Sequence, residues 1–493
     1  MGLASQAAGR NDGENGMNSF SAKLGVIGLS LLLPACMVGP DYRRPQTVAP
    51  AAFKHQEGWS IAAPADDIPK GEWWKRYGDA ELNQLVARLN NSNLTLAQYE
   101  AQYRQAFALA QSARGALWPQ LNATLGKTRA GQGAGSSTSS QAVQVSGIRT
   151  TYNAALNASW EIDIWGRLRR TLEANRASAE ASLATLAAMR LSMQSELVQN
   201  YLQLRVMDQQ KRLLTETADT YRRVVQLTES QYKRGVVASA DVAAATTQLK
   251  NTEAELVDLV WQRAQLENAI AVLIGEAPAN FSLAEADTMP QLPAVPAAVP
   301  SQLLERRPDV AAAERSVMAA NANIGVAKSA YYPSLTLSAT GGYRSRTFDD
   351  WMTMPNRYWS VGPQLAMTLF NGLQNKYNVV QAEASYDAAV AGYRQTVLTA
   401  FQEVEDYLVA LHTLGEEATL REESVAAARK ALRQYTNQYR VGLIGFLDVV
   451  TAQTTALNSE RTLLTLQQSR LISSVQLIAA LGGGWDGLPI QNK

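Results

Sequence analysis

The sequence holds one cysteine, two histidines and, after Leu33, no window approaching the roughly 20 apolar residues that a membrane helix needs. A single cysteine, Cys36, excludes a disulfide framework and a cysteine metal cluster within the chain. The histidines, His55 in an irregular N-terminal region and His412 within a helical pattern, supply neither a catalytic triad nor a histidine metal site. The formal net charge of +1 provides no basic field of the kind that gathers nucleic acid. Gly131, Gly133 and Gly135 imitate a phosphate loop, but Ser136 stands where a glycine belongs and no lysine-serine pair follows. Met352 and Met354 near Trp351 point toward soft-metal export, but methionines in an exposed hairpin are more often incidental. The reading is therefore no enzyme, no cofactor and no metal, and any membrane crossing is by strands.

What is present begins with a leader. Met17, Lys23 and the apolar run Leu24 to Leu33 have the layout of a secretory signal, followed by Leu33-Pro34-Ala35-Cys36. That tetrapeptide resembles a lipobox, with Pro34 in place of the usual small residue. Cys36 is thus expected to be the lipidated first residue of the mature chain, after a signal peptide at 1–35 that starts at Met17. A buried free thiol is the alternative.

Downstream, one pattern recurs after about 206 residues. Tyr201-Leu202 answers Tyr407-Leu408, Gln231-Tyr232-Lys233-Arg234-Gly235 answers Gln438-Tyr439-Arg440-Val441-Gly442, and Asp241-Val242 answers Asp448-Val449. Ala116-Leu117-Trp118-Pro119 answers Ala330-Tyr331-Tyr332-Pro333 at a larger separation, which predicts an inserted loop at the Gly/Ser-rich stretch Gly131 to Ser140. The predicted organisation is an N-terminal segment at 36–92, one copy at 93–276, a Pro-rich connector at 277–302, a second copy at 303–484 and a tail at 485–493.

Each copy reads as a helix, two strands, a very long helix and a returning helix. Tyr152, Ala154, Leu156, Ala158, Trp160 and Ile162 alternate with Asn153, Asn157, Ser159 and Glu161, the mark of a two-faced strand. Leu121 to Gly126, Ser334 to Ala339 and Ser360 to Leu369 share the design. Aromatic residues gather near strand ends, as in a membrane girdle, though soluble sandwiches also place them there. From Arg167 to Arg234 and from Asn375 to Arg440 the chain has no proline and keeps a three- and four-residue apolar rhythm, through Leu186, Met189, Met193, Leu197, Tyr201 and Leu204 in the first and Val397, Phe401, Val404, Leu408 and Leu411 in the second. Gly235 and Gly442 should end these helices, with Asp241 and Asp448 opening the next ones, possible N-caps in a purely structural role. Four strands leave open edges, so a membrane sheet demands other subunits.

These marks, with Cys36-Met37-Val38-Gly39-Pro40-Asp41-Tyr42-Arg43-Arg44-Pro45, Trp165-Gly166-Arg167-Leu168-Arg169 and Arg307-Pro308-Asp309-Val310, resemble the outer-membrane factors of resistance-nodulation-division efflux systems, the TolC-like group with its lipoprotein branch. The resemblance implies a mainly α chain with β that forms a homotrimer. Four strands per chain would build a twelve-stranded transmembrane β-barrel, continued by a periplasmic α-helical coiled-coil tunnel. It implies docking to a periplasmic adaptor and an inner-membrane pump, contact with outer-membrane lipid, and a role as a passive duct for drugs or toxic compounds in a Gram-negative outer membrane. It also implies a periplasmic gate at Asp241, Tyr439 and Asp448, with Asp241 and Tyr439 as a closing link and Asp448 as an acidic ring. Ile444 and Thr451 stand where the family often has an arginine and a second acid. A duct for type I protein secretion and a non-channel helical envelope scaffold are the alternatives.

Overall fold

The computed structural model describes residues 37–46, 71–132, 147–293, 307–483 and 485. Cys36 and His55 lie outside the described residues. Seven α-helices are described: α1 (Ala80–Ser92), α2 (Leu94–Gly115), α3 (Arg167–Lys233), α4 (Ser239–Leu273), α5 (Pro308–Ser329), α6 (Gln374–Arg440) and α7 (Phe446–Ala480). Four strands accompany them: β1 (Gln120–Gln132), β2 (Gly147–Ile162), β3 (Ser334–Ser345) and β4 (Arg357–Ala366). α2 and α5 have 22 residues each, α3 and α6 have 67, and α4 and α7 have 35. At 1.5 Å per residue the long helices extend about 100 Å each.

The chain divides into two compact units, and neither coincides with one copy of the repeat. One unit comprises Met1–Arg44, Ala106–Ala179 and Ser316–Val390 and holds the sheet. The other comprises Pro45–Gln105, Glu180–Arg315 and Ala391–Lys493 and holds α1, α4 and α7. Long helices α3 and α6 contribute to both.

In the first unit the strands form one antiparallel sheet in the order β1-β2-β3-β4. Its register puts the predicted apolar residues on one face. Leu121, Ala123 and Leu125 lie opposite Ala158, Leu156 and Ala154, and the rungs continue through Ala339, Gly341 and Tyr343 to Val361, Trp359 and Arg357. The opposite face is knitted by polar side chains: Asn157 donates to Thr124 at 3.2 Å and accepts from Thr340 at 3.0 Å, while Tyr358 donates to Asn153 at 2.8 Å. Two expectations are corrected. Gly131 and Gln132 belong to β1, paired with Ile148 and Gly147, so the inserted loop starts later and its residues 133–146 lie outside the description. β4 stops at Ala366 because its partner strand begins at Ser334, after Pro333, which has no N–H to continue the ladder; Met367 and Leu369 are off the strand.

In the second unit α6 buries Val397, Phe401, Val404, Leu408 and Leu411, the predicted stripe. Leu186, Leu197, Tyr201 and Leu204 do the same on α3. The segment before the first copy is not a plain tether. Trp73, Trp74 and Tyr77 of a 3-10 turn are buried, and Asp79 caps α1 by accepting from the N–H groups of Glu81 and Leu82. Asp79 also accepts from Tyr201 at 2.6 Å, and burial followed by this carboxylate pushes the Tyr201 phenol upward. One turn along α3, Arg205 meets Glu81 and donates to Asp208 at 3.0 Å. Arg263 of α4 donates to Asp208 at 2.8 Å and to the Leu283 carbonyl at 2.8 Å, while Arg205 reaches the Ala284 carbonyl at 2.7 Å. The connector is therefore stapled to α3 and α4 by two arginines sharing one carboxylate.

Asp208 is 1% exposed and Arg205 is 2% exposed, so removing the acid takes from Arg205 its buried carboxylate and from Arg263 its nearest one. Asp208→Ala should lower stability by about 3–5 kcal/mol, read as a fall in the midpoint of helix melting. Asp219→Ala, which breaks the half-exposed pair with Arg222, should leave the midpoint unchanged.

Candidate functional site

Both long helices end in the same way. The Gly235 N–H bonds the Tyr232 carbonyl at 2.9 Å and the Val236 N–H bonds that of Gln231 at 2.9 Å; Gly442 and Leu443 repeat this against Tyr439 and Gln438 at 3.0 Å each. This is the Schellman closure, which needs a left-handed residue, and Gly235 and Gly442 supply it with φ of 74° and 79°.

The returning helices open on Ala238 and Gly445, so Asp241 and Asp448 are not N-caps. Both stand at the third helical position. A backbone N–H is left over there, and the Asp241 carboxylate accepts that of Ala238 at 3.2 Å. Asp448 is exposed. An acid in the first turn also meets the positive end of the helix dipole.

Tyr439 is half-buried and its ring lies 5.6 Å from that of Phe446. Its hydroxyl donates to Gln231 at 2.9 Å rather than to Asp241, tying the end of α6 to the end of α3. Burial raises the phenol's pKa, and the Asp241 charge raises it further. Of the three residues that the resemblance assigns to a gate, Tyr439 feels the Asp241 charge, and its direct hydrogen bond goes to Gln231. Val236, Val441, Leu443 and Leu447 are exposed around these turns.

The first unit offers a second functional surface. Leu121, Leu125, Leu156, Trp359, Val361 and Leu365 on the apolar face of the sheet are between 55% and 75% exposed, which water does not favour and lipid does. Where β2 leads into α3, the Val38 N–H bonds the Trp165 carbonyl at 3.0 Å, and the indole of Trp165 stacks on Tyr332 and donates to the Pro333 carbonyl at 2.8 Å. Arg170 grips Asp41 at 2.8 Å, and Asn321 donates to the Pro40 carbonyl at 2.9 Å. A Cβ on Gly39 would meet the Gly325 Cα at 2.4 Å, so the segment passes α5 backbone to backbone. The residues that follow Cys36 are thus seated against the helix-proximal end of the sheet. Among the described residues no helix is long and apolar enough to cross a membrane.

A family model described as outer membrane efflux protein matches residues 85–276 and 299–483. The chain belongs to the outer membrane efflux protein family. The cation efflux system protein CusC of Escherichia coli is 28% identical over 464 residues, covering 93% of this chain and 97% of CusC. SilC of Salmonella typhimurium, a probable outer membrane lipoprotein, is 27% identical over 470 residues, with 94% and 99% covered. The outer-membrane channel OprN superimposes with a TM-score of 0.83 at 30% identity, covering 91% of this chain and all of that one. The fold is that of TolC-like outer-membrane channels, and the protein is an outer-membrane efflux component.

Sequence reasoning placed Gln231 in the repeat without giving it a role. Its counterpart Gln438 made it look like part of the helix end, and only the structure brings it to Tyr439. The Trp165-Gly166 and Gly39 motifs were legible, but their mutual contact was not.

A double-mutant cycle tests the Tyr439–Gln231 bond. Tyr439→Phe and Gln231→Ala should each speed amide exchange around Gly442, with a coupling of about 0.5–1.5 kcal/mol. Purely additive singles would mean that the two side chains do not touch.

Proposed function

We propose that three copies of this efflux protein close into one channel, each giving its four strands to a twelve-stranded barrel and its long helices to a periplasmic tunnel. The channel is a passive exit duct for small molecules with no catalysis of its own, loaded by a periplasmic adaptor and an inner-membrane resistance-nodulation-division pump. The observation that carries this is the sheet: an exposed apolar face, a polar opposite face and two strand edges, β1 and β4, with no partner among the described residues. In hydrocarbon, unpaired edge groups are costly, so the sheet closes through other copies. Lipid on Cys36 holds the chain to the same membrane. The seat of residues 38–41 beside Trp165 and Tyr332 supports this by fixing the anchor near the sheet, and SilC, named a probable outer membrane lipoprotein, is similar in sequence.

The gate lies at the turns after α3 and α6. Asp241, Tyr439 and Gln231 restrain the closed state, while Asp448, exposed and repeated in each copy, sets a ring of negative charge at the aperture. Like charges around a narrow opening attract permeating cations.

Planar-bilayer recording tests the gate. Asp448→Asn should reduce cation selectivity, whereas an acid that only supports the first turn of α7 would leave selectivity unchanged. The lipid face is tested separately: Leu156→Arg should cost about 2–4 kcal/mol near the bilayer midplane, and Asn157→Ala on the other face should be tolerated. Mass spectrometry of the mature N-terminus should find lipid on Cys36; an unmodified thiol would refute the anchor.

A further inference from the structure

Charge is distributed unevenly along the sheet. At the end that leads into α3, cations are matched by acids: Arg167 pairs with Glu161 at 2.6 Å and Arg169 with Asp163 at 3.2 Å. At the far end, Lys127, Arg129 and Arg357 are exposed, and no ion pair among the described residues engages them. Strand alternation places all three on the apolar face, continuing the columns of Leu125 and Trp359 outward. Lys127 sits over the ring of Tyr152, its partner on the same rung, at 5.4 Å, so on the next rung of that face beyond Leu125 the surface turns from aliphatic to aromatic and cationic, as a lipid turns from chain to headgroup.

The same face carries a groove of about 770 Å³. It is lined by two successive rungs of the apolar face, those that start at Ala123 and Leu125, and by only the single intervening rung of the polar face, so it opens on the apolar side. Ala154 and Gly341 form its floor between the bulk of Leu156, Tyr343 and Trp359, and Arg357 stands at its end. Gly341 is not forced by crowding, since a Cβ there would meet nothing within 4 Å, whereas one on Gly342 would strike the Ala154 carbonyl at 2.2 Å.

The geometry points to a binding site for a phosphate-bearing glycolipid of the outer leaflet, with an acyl chain in the groove and phosphate on the three cations. This rests on the closed-channel reading. β1 and β4 are the two edges of the sheet, so closure brings Arg357 of one copy toward Lys127 and Arg129 of the next. A cluster of three cations matches a headgroup with more than one phosphate better than a phospholipid with one. The far end of the strands, away from the helices that enter the periplasm, faces the leaflet in which such a glycolipid resides.

Full-length protein in mild detergent, stripped of lipid, is titrated by native mass spectrometry with bis-phosphorylated lipid A, dephosphorylated lipid A and phosphatidylglycerol. Wild type should prefer the phosphorylated form, and Arg357→Gln should lose roughly fivefold in affinity for it, the effect of one cation near a charged lipid surface. Gly341→Leu, whose Cβ would meet nothing within 4 Å and whose side chain would occupy the groove, should weaken both forms of lipid A alike. Equal affinity for the two forms, equally tight phosphatidylglycerol, or variants that bind like wild type would overturn the site. A wild-type protein that fails to fractionate with the outer membrane overturns the channel reading instead, whatever lipid it binds.

Discussion

Four strands with two open edges and one greasy face constrain everything else in this chain. The edges of β1 and β4 present backbone donors and acceptors, and the apolar face that carries Leu121, Leu156, Trp359 and Leu365 is exposed. Neither feature suits water, and the edges do not suit lipid. A membrane sheet closed by further copies satisfies both at once. The polar face, already paired through Thr124, Asn157 and Thr340, is then free to line an aqueous interior.

The helices meet a different demand. Their backbones are satisfied internally, so what needs fixing is the relative position of several long rods. The second unit does this with buried ions set into its apolar core. Asp208 holds Arg205 and Arg263 together with the connector, and Arg307 grips Asp309 at 2.7 Å, Glu403 at 2.6 Å and the Ala480 carbonyl at 3.1 Å. The Arg307-Pro308-Asp309-Val310 motif thereby gains a physical meaning: Pro308 opens α5, Asp309 orients the guanidinium, and the cation meets the carbonyl end of α7 where the helix dipole is negative. Such pairs specify geometry more than they add stability.

Strands and long helices were legible because their periods are unambiguous. Alternation at Tyr152 to Ile162 and the apolar steps from Val397 to Leu411 each admit one structure, and both fell on the predicted face. The structured N-terminal segment was not legible, since Trp73, Trp74 and Tyr77 show no period and their burial depends on contacts distant in sequence, such as Tyr77 with Ser474 at 2.7 Å. The helix starts were misjudged by two or three residues because Asp241 and Asp448 are acceptable both as N-caps and in the first turn, and the chain uses the second. At the gate, sequence identified Tyr439 but not its acceptor. A glutamine on a long helix has no signal that distinguishes a cross-helix bond from solvation.

Closure by identical copies is the claim on which the rest depends, and the mass of the protein in a detergent particle tests it most directly. With detergent and lipid subtracted, light scattering should give three chains per particle. A stable particle containing one chain would contradict the account, because the free edges of β1 and β4 would then have to be tolerated.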